Sequence, residues 1–316
     1  MVAGRKLALT TERSYSTWIR QFLHFMTTSE ARHFTKSEEK IEVFLSRMAR
    51  EDYSSVSQNQ AFNAILFLYR NVLKIELKDI NALRCKQMKR ERYTPTVEEV
   101  LAMLHELRST PTYNVRLAGA LMYACGMRVS ECCQVRIKDF DLVRMVLTIW
   151  EGKGDKDRRV RIPEILVPGI RRQIARATAL ANMDIEARQP VQLPGRMDKS
   201  TPARQFDVEW HFLFPSAHPC AHPRTGKMVR WCVSPDVLQN GVKAAGKRAG
   251  ITSRLTPHCL RHAFCSHLLD AGENIKRVGE AMGHSDIRTT AGYGRKECEA
   301  MPSPLDRIII PIRKTA

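Results

Sequence analysis

The chain has 316 residues, 43% hydrophobic and 27% charged, with 51 Lys+Arg against 33 Asp+Glu and a formal charge of +18. This composition excludes a disordered chain, and no apolar run reaches the roughly 18–20 residues that span a bilayer, so no membrane partner is expected. The basic residues are spread through folded-looking sequence, which points to a polyanion, most naturally nucleic acid, as partner; a basic but ordinary enzyme is the alternative.

The N-terminus MVAGRKLALTTERSYSTW has no apolar stretch followed by a small-residue cleavage site, so a cytoplasmic location is expected. The first part of the chain reads as helices. Tyr15, Trp18, Ile19, Phe22 and Met26 follow the helical period. Thr35-x-x-Glu38 has the form of a capping box, with Ile41, Phe44, Leu45 and Met48 forming the apolar stripe behind it. A third stripe runs Phe62, Ile65, Leu66, Tyr69 and Leu73. The segment KQMKRERYTP (86–95) is basic, weakly periodic and ends on a proline, as a linker does. The division is therefore a helical domain over 1–88, a basic linker over 89–95 and a second domain over 96–316.

Thr96-x-x-Glu99 opens that second domain as another capping box, with helices expected at 97–108 and 112–125. Gly126 breaks the pattern before a helix in VSECCQV, and MVLTIWEGKGDKDRRVRIP (145–163) alternates as a β-hairpin about a Gly-rich turn. Helix returns over 164–185. From about 187 to 234 runs a Pro-rich, weakly periodic insert containing WHFLFP (210–215) and Trp231. Helices follow at 235–250 and 257–271, then two short ones around Gly283. The fold class is mainly α with a small β-sheet.

Nine cysteines (85, 125, 132, 133, 220, 232, 259, 265 and 298) form no C-x-x-C pair, which suggests reduced, mostly buried thiols. His218, Cys220 and His222 in HPCAHP have a metal-like spacing, yet Pro219 and Pro223 favour a loop, and no metal is assigned there. The stretch HCLRH (258–262) places His258 and His262 on one helix face with Arg261 between them. A zinc pair, two packing histidines and an anion grip all remain open on that spacing alone.

Taken together, GMRVSE (126–131), EGKGDKDR (151–158), HCLR (258–261), MGHSD (282–286) and AGYGR (291–295) supply Arg128, Lys153, His258, Arg261, His284 and Tyr293 in order. That order resembles the tyrosine recombinase (phage-integrase-like) family over most of the chain, most tellingly in HCLRHAFCSHLLDAGENIKRVGEAMGHSDIRTTAGYGR. The resemblance implies a helical core-binding (SAM-like) domain followed by an α/β catalytic domain, and cleavage of DNA through a 3′-phosphotyrosine with no cofactor and no metal. Chemistry agrees: Arg128 and Arg261 can hold the nonbridging oxygens of one phosphodiester and stabilise its pentavalent transition state. His258 and His284 would add hydrogen bonds or proton transfer, Tyr293 would be the nucleophile, and Lys153, favoured over Lys156 by the family pattern, the general acid. Glu131 would orient Arg128 or the histidine of the second block. His262 and His267 are assigned to packing or structural hydrogen bonds. Each member also has a plain reading, as surface arginine, helix cap or structural tyrosine.

Within that family, QNQAFNAILFLYRNVLKIEL (58–77), the insert around EWHFLFPSAHP (209–219) and SPLDR (303–307) resemble the integron integrases. That implies capture and excision of gene cassettes, folded single-stranded hairpin sites, and a tetramer working on two DNA sites. Trp210 and Pro223 match positions that contact extruded bases, and Trp231 stands where that subgroup has histidine; a small hydrophobic cluster is the other reading of both tryptophans. Gly292 and Gly294 flank Tyr293 where relatives carry stiffer residues, which would loosen its delivery. The competing expectations are another tyrosine recombinase acting on duplex sites and a non-catalytic DNA-binding relative.

Overall fold

The computed structural model describes residues 7, 9–85, 93–110, 112–150, 157–194 and 197–283. The chain divides into two compact units, Met1–Glu91 and Arg92–Ala316.

The first unit consists of α1 (Leu9–Met26), α2 (Ser29–Arg32), α3 (Ser37–Arg50) and α4 (Ser55–Phe67), the last running into a π-helical turn over Leu68–Leu73. Its core is aromatic: Phe22, Phe25, Phe44 and Tyr69 are buried with Ile41, Leu45 and Ile65, and Phe22 meets Phe44 edge-on at 5.4 Å. The buried Gln58 amide donates to Leu45 O and Leu83 O and accepts from Cys85 N, stapling the extended segment after α4 to the bundle. Two expectations fail here. The capping box at Thr35 does not form: α3 starts at Ser37 behind Lys36, with no side-chain cap, and the Glu38 carboxylate instead accepts from Lys78 N. Leu73 is 48% exposed, because the π turn adds a residue per turn and carries the apolar stripe off the core face.

The second unit is built on α5 (Val97–Glu106), α6 (Val115–Ala124) and α7 (Val129–Gln134). Thr96 and Glu99 form the expected capping box at the start of α5. Apart from Arg116, every residue of α6 is buried, which makes it the central helix of the core. Next come β1 (Phe140–Asp141), β2 (Val146–Ile149) and β3 (Arg158–Arg161), an antiparallel sheet in that order with Leu147 opposite Val160. The two strands pair as expected, the Gly-rich turn at 151–156 lying outside the described residues, but on β2 the buried set is Leu147 and Ile149, facing in with Val160, whereas the alternating Val146 and Thr148 are half-buried and Trp150 is 55% exposed.

After α8 (Val167–Glu186), the insert holds α9 (Met197–Ser200), two 3-10 turns (Pro202–Phe206 and Val208–Trp210) and the ribbon β4 (Cys220–Ala221) and β5 (Met228–Val229), with Cys220 exposed on it. A buried Arg230–Asp184 ion pair, at 2.5 and 2.7 Å, fastens the insert to α8. The chain then forms α10 (Pro235–Arg248), α11 (Pro257–Asp270) and α12 (Ile275–Met282), the last closed by Gly283 at φ +62°. No helix among the described residues is long and apolar enough to cross a membrane.

Candidate active site

Gly126 sets the geometry where α6 turns toward α7. Its φ is +57°, and a Cβ there would lie 2.7 Å from the Phe264 ring, so only glycine fits both the backbone and the approach of α11. The Gly126 carbonyl accepts from Arg261 Nη1 at 2.5 Å, and Met282 O accepts from Arg261 Nη2. Although only 2% exposed, the Arg261 guanidinium is thus aimed by two backbone carbonyls from different elements.

Arg128 begins α7. Its backbone N–H donates to Glu131 Oε2 at 2.8 Å and its Nη1 to Glu131 Oε1 at 2.6 Å, while its side chain stays 42% exposed. Arg158, on β3, donates to the same carboxylate from Nη2 at 2.6 Å and Nη1 at 3.1 Å, and Arg261 Nη1 lies 3.9 Å from Glu131 Oε2. One carboxylate therefore gathers three guanidiniums. Burial pushes the Glu131 carboxyl up, but its bonds to Arg158 and Arg128 outweigh this and hold it below the ordinary carboxylate value. Sequence reasoning missed Arg158. Its signal is the hairpin alternation, which puts an arginine at an inward position of β3 beside Val160, where it needs a buried anion.

His258 is exposed on α11 and His262 half-buried, their rings edge-to-face at 4.4 Å. His267 has a structural role: its Nε2–H donates to Pro95 O at 3.1 Å, which leaves Nδ1 to accept from the Tyr123 hydroxyl at 2.8 Å. Lys153, Lys156, His284 and Tyr293 lie outside the described residues.

In the insert, Trp210 is 8% exposed and packs with Val191, Leu193 and Phe212. Pro223 is exposed in the turn between β4 and β5, and the half-buried Trp231 stacks on His222 at 5.6 Å. His222 Nδ1 accepts from Arg224 N and Thr225 N, so in HPCAHP it serves the turn. Among the described residues no three His, Cys, Asp or Glu side chains gather where they could hold a metal ion.

Comparison with known proteins decides the family. Residues 94–299 match the model of the phage integrase family, and residues 1–79 that of the phage integrase N-terminal SAM-like domain. The chain belongs to the phage integrase family. As such it is a tyrosine recombinase, an enzyme of site-specific DNA recombination. It is similar to an integrase/recombinase of Escherichia coli, 36% identical over 90% of this chain and 84% of the relative. It is also similar to the tyrosine recombinase XerA of Thermococcus onnurineus, 30% identical over 92% and 86%. Among solved structures, the XerH site-specific recombinase bound to its difH substrate shares the fold, with a TM-score of 0.58 and 20% identity over 88% of this chain and 75% of that one. A lambda integrase dimer bound to a core site does so with a TM-score of 0.56 and 17% identity over 92% and 94%.

Proposed function

We propose that this recombinase cleaves and rejoins DNA through a 3′-phosphotyrosine formed by Tyr293. The observation that carries the reading is the cluster on Glu131: three guanidiniums converge on one carboxylate, which concentrates cationic side chains beside the half-exposed Arg128 and the exposed His258. A scissile phosphate is an anion suited to such a cluster of guanidiniums. Arg128 and Arg261 would hold its nonbridging oxygens, Glu131 keeping Arg128 in place. Tyr293 would attack phosphorus, its proton passing to His258 or His284, and Lys153 would protonate the departing 5′ oxygen as the P–O bond breaks. Because the bond energy is kept in the protein–DNA link, no cofactor is needed. Residues 1–88 would bind the core site and 96–316 perform the chemistry, joined by the basic linker 89–95. Four copies on two DNA sites would be the working unit, acting in the cytoplasm; complexes of lambda integrase with a core site and with a Holliday junction, the latter a tetramer, support that unit. Incubation with a nicked suicide substrate should trap a covalent adduct, absent in Tyr293→Phe; failure of the wild-type protein to form one would sink the reading.

The finer proposal is integron-type capture and excision of cassettes on folded hairpin sites, with Trp210, Pro223 and Trp231 contacting extruded bases. The insert and its aromatic residues support it. One observation favours the second reading, recombination on duplex sites: Trp210 is only 8% exposed, so a base could stack on it only after its cluster opens. Binding to a folded single-stranded site and to its matched duplex separates the two, since the integron reading requires preference for the folded strand.

A further inference from the structure

The two arginines assigned to the phosphate are mounted differently. Arg261 is aimed by backbone, its Nη1 and Nη2 donating to the carbonyls of Gly126 and Met282. Arg128 is aimed by a side chain, its N–H and Nη1 donating to Glu131 at 2.8 and 2.6 Å. The carbonyl of a packed backbone is a fixed acceptor, whereas a glutamate carboxylate can turn about its side-chain torsions. Glu131 also stands in a helix of only six residues, Val129–Gln134, so its own element gives it little support. For Arg128 to point one way, the carboxylate has to be held from elsewhere.

Arg158 supplies that hold from the buried side. It is the first residue of β3, opposite Ile149 on β2, and its side chain is 5% exposed against 42% for Arg128. Its Nη2 donates to Glu131 Oε2 at 2.6 Å and its Nη1 to Oε1 at 3.1 Å. One guanidinium thus engages both oxygens and fixes the plane of the carboxylate as well as its place. A lysine there could balance the charge but could not fix the plane. We propose that Arg158 is a positioning residue for strand cleavage, setting the direction of Arg128 by locking Glu131 and itself staying buried away from the DNA. This rests on the reading of Arg128 as a phosphate ligand, and it makes strand β3 part of the support of the phosphate site.

The test uses the full-length protein with Arg158→Lys and Arg158→Met, each first shown to be folded by urea denaturation. On the nicked suicide substrate at saturating DNA, both should form the adduct about 10–10²-fold more slowly than wild type, the usual cost of a misaligned group. The DNA concentration for half-saturation should stay within about twofold, because one phosphate contact is a small part of the binding along a whole site. In a Glu131→Gln background, Arg158→Met should add less than about threefold, as expected of a residue that acts through Glu131. Full speed in Arg158→Lys overturns the assignment, since charge balance alone then accounts for the arginine. Independent, multiplying effects of Arg158→Met and Glu131→Gln overturn it too. A crystal structure of Arg158→Lys decides without chemistry: the Arg128 guanidinium should leave its place on Glu131 while Arg261 keeps its bonds to Gly126 and Met282, and an unmoved Arg128 overturns the assignment. A wild-type protein that forms no adduct would sink the recombinase reading and leave that structural result standing.

Discussion

Glu131 and Asp184 are both buried carboxylates of the same unit, yet they are surrounded differently. Asp184 meets one guanidinium, Arg230, through two short bonds, and the remaining bonds of Arg230 run to the carbonyls of Ser216 and Ala217. Charge there is balanced one to one and every contact is internal, so the pair fastens the insert and offers nothing to a ligand. Glu131 meets three guanidiniums at once, those of Arg128, Arg158 and Arg261. Like charges crowd together at little gain unless an anion joins them, which is why the proposed phosphate chemistry is assigned to the Glu131 cluster and not to Asp184.

The sharpest way to break this contrast is through activity. Arg261→Met should slow adduct formation on a suicide substrate by about 10²–10³-fold, the usual cost of one transition-state charge donor, whereas adduct formation by folded Asp184→Asn should proceed at the wild-type rate. Stability should treat the two carboxylates alike: Asp184→Asn and Glu131→Gln each strand a buried guanidinium and should each cost roughly 3–5 kcal/mol in urea denaturation.

Acid bears on Glu131 directly. The folded Glu131 carboxyl lies below its ordinary value of 4.5, burial raising it and Arg158 and Arg128 lowering it further. Its stabilisation is therefore complete above the unfolded value and lost as pH falls through the folded one, and Glu131→Gln should remove that limb of the stability curve. Burial also lowers His211 and His267 from 6.5, so they stay neutral in the fold while the unfolded chain protonates. Stability should accordingly begin to fall as pH drops below about 6.5, less steeply in His267→Gln. The smallest effect belongs to the half-exposed Arg47–Glu51 pair, where Arg47→Ala should change stability by less than about 1 kcal/mol.

Much of this was legible in the sequence where the signal is local. The stripe Ile41, Phe44, Leu45 and Met48 and the cap at Thr96 needed only a helical period and one turn of chain. Thr35 misled because Glu38 found a partner 40 residues away, and Leu73 because a π turn changes the period. At the site, Arg128, Glu131, His258 and Arg261 were singled out from motif order, but the convergence of Arg128, Arg158 and Arg261 on Glu131 depends on contacts that cross the whole unit. The Arg230–Asp184 pair, separated by 46 residues, leaves no local pattern at all. The insert read as weakly periodic because its helical pieces are a turn or so long and bridges such as Val191–Arg230 and Pro215–Cys232 tie them together.

The thiols of the second unit have a practical use. Cys125, Cys132 and Cys133 are buried, and burial raises Cys132, Cys133 and Cys232 above the ordinary thiol value, Cys232 to about 11. Thiolate is the form that maleimides attack, so these sites should react slowly with such reagents. Cys220, on the ribbon of the insert, is the only described cysteine that is exposed. A dye placed there in the native chain would report directly on whether the insert moves when DNA arrives.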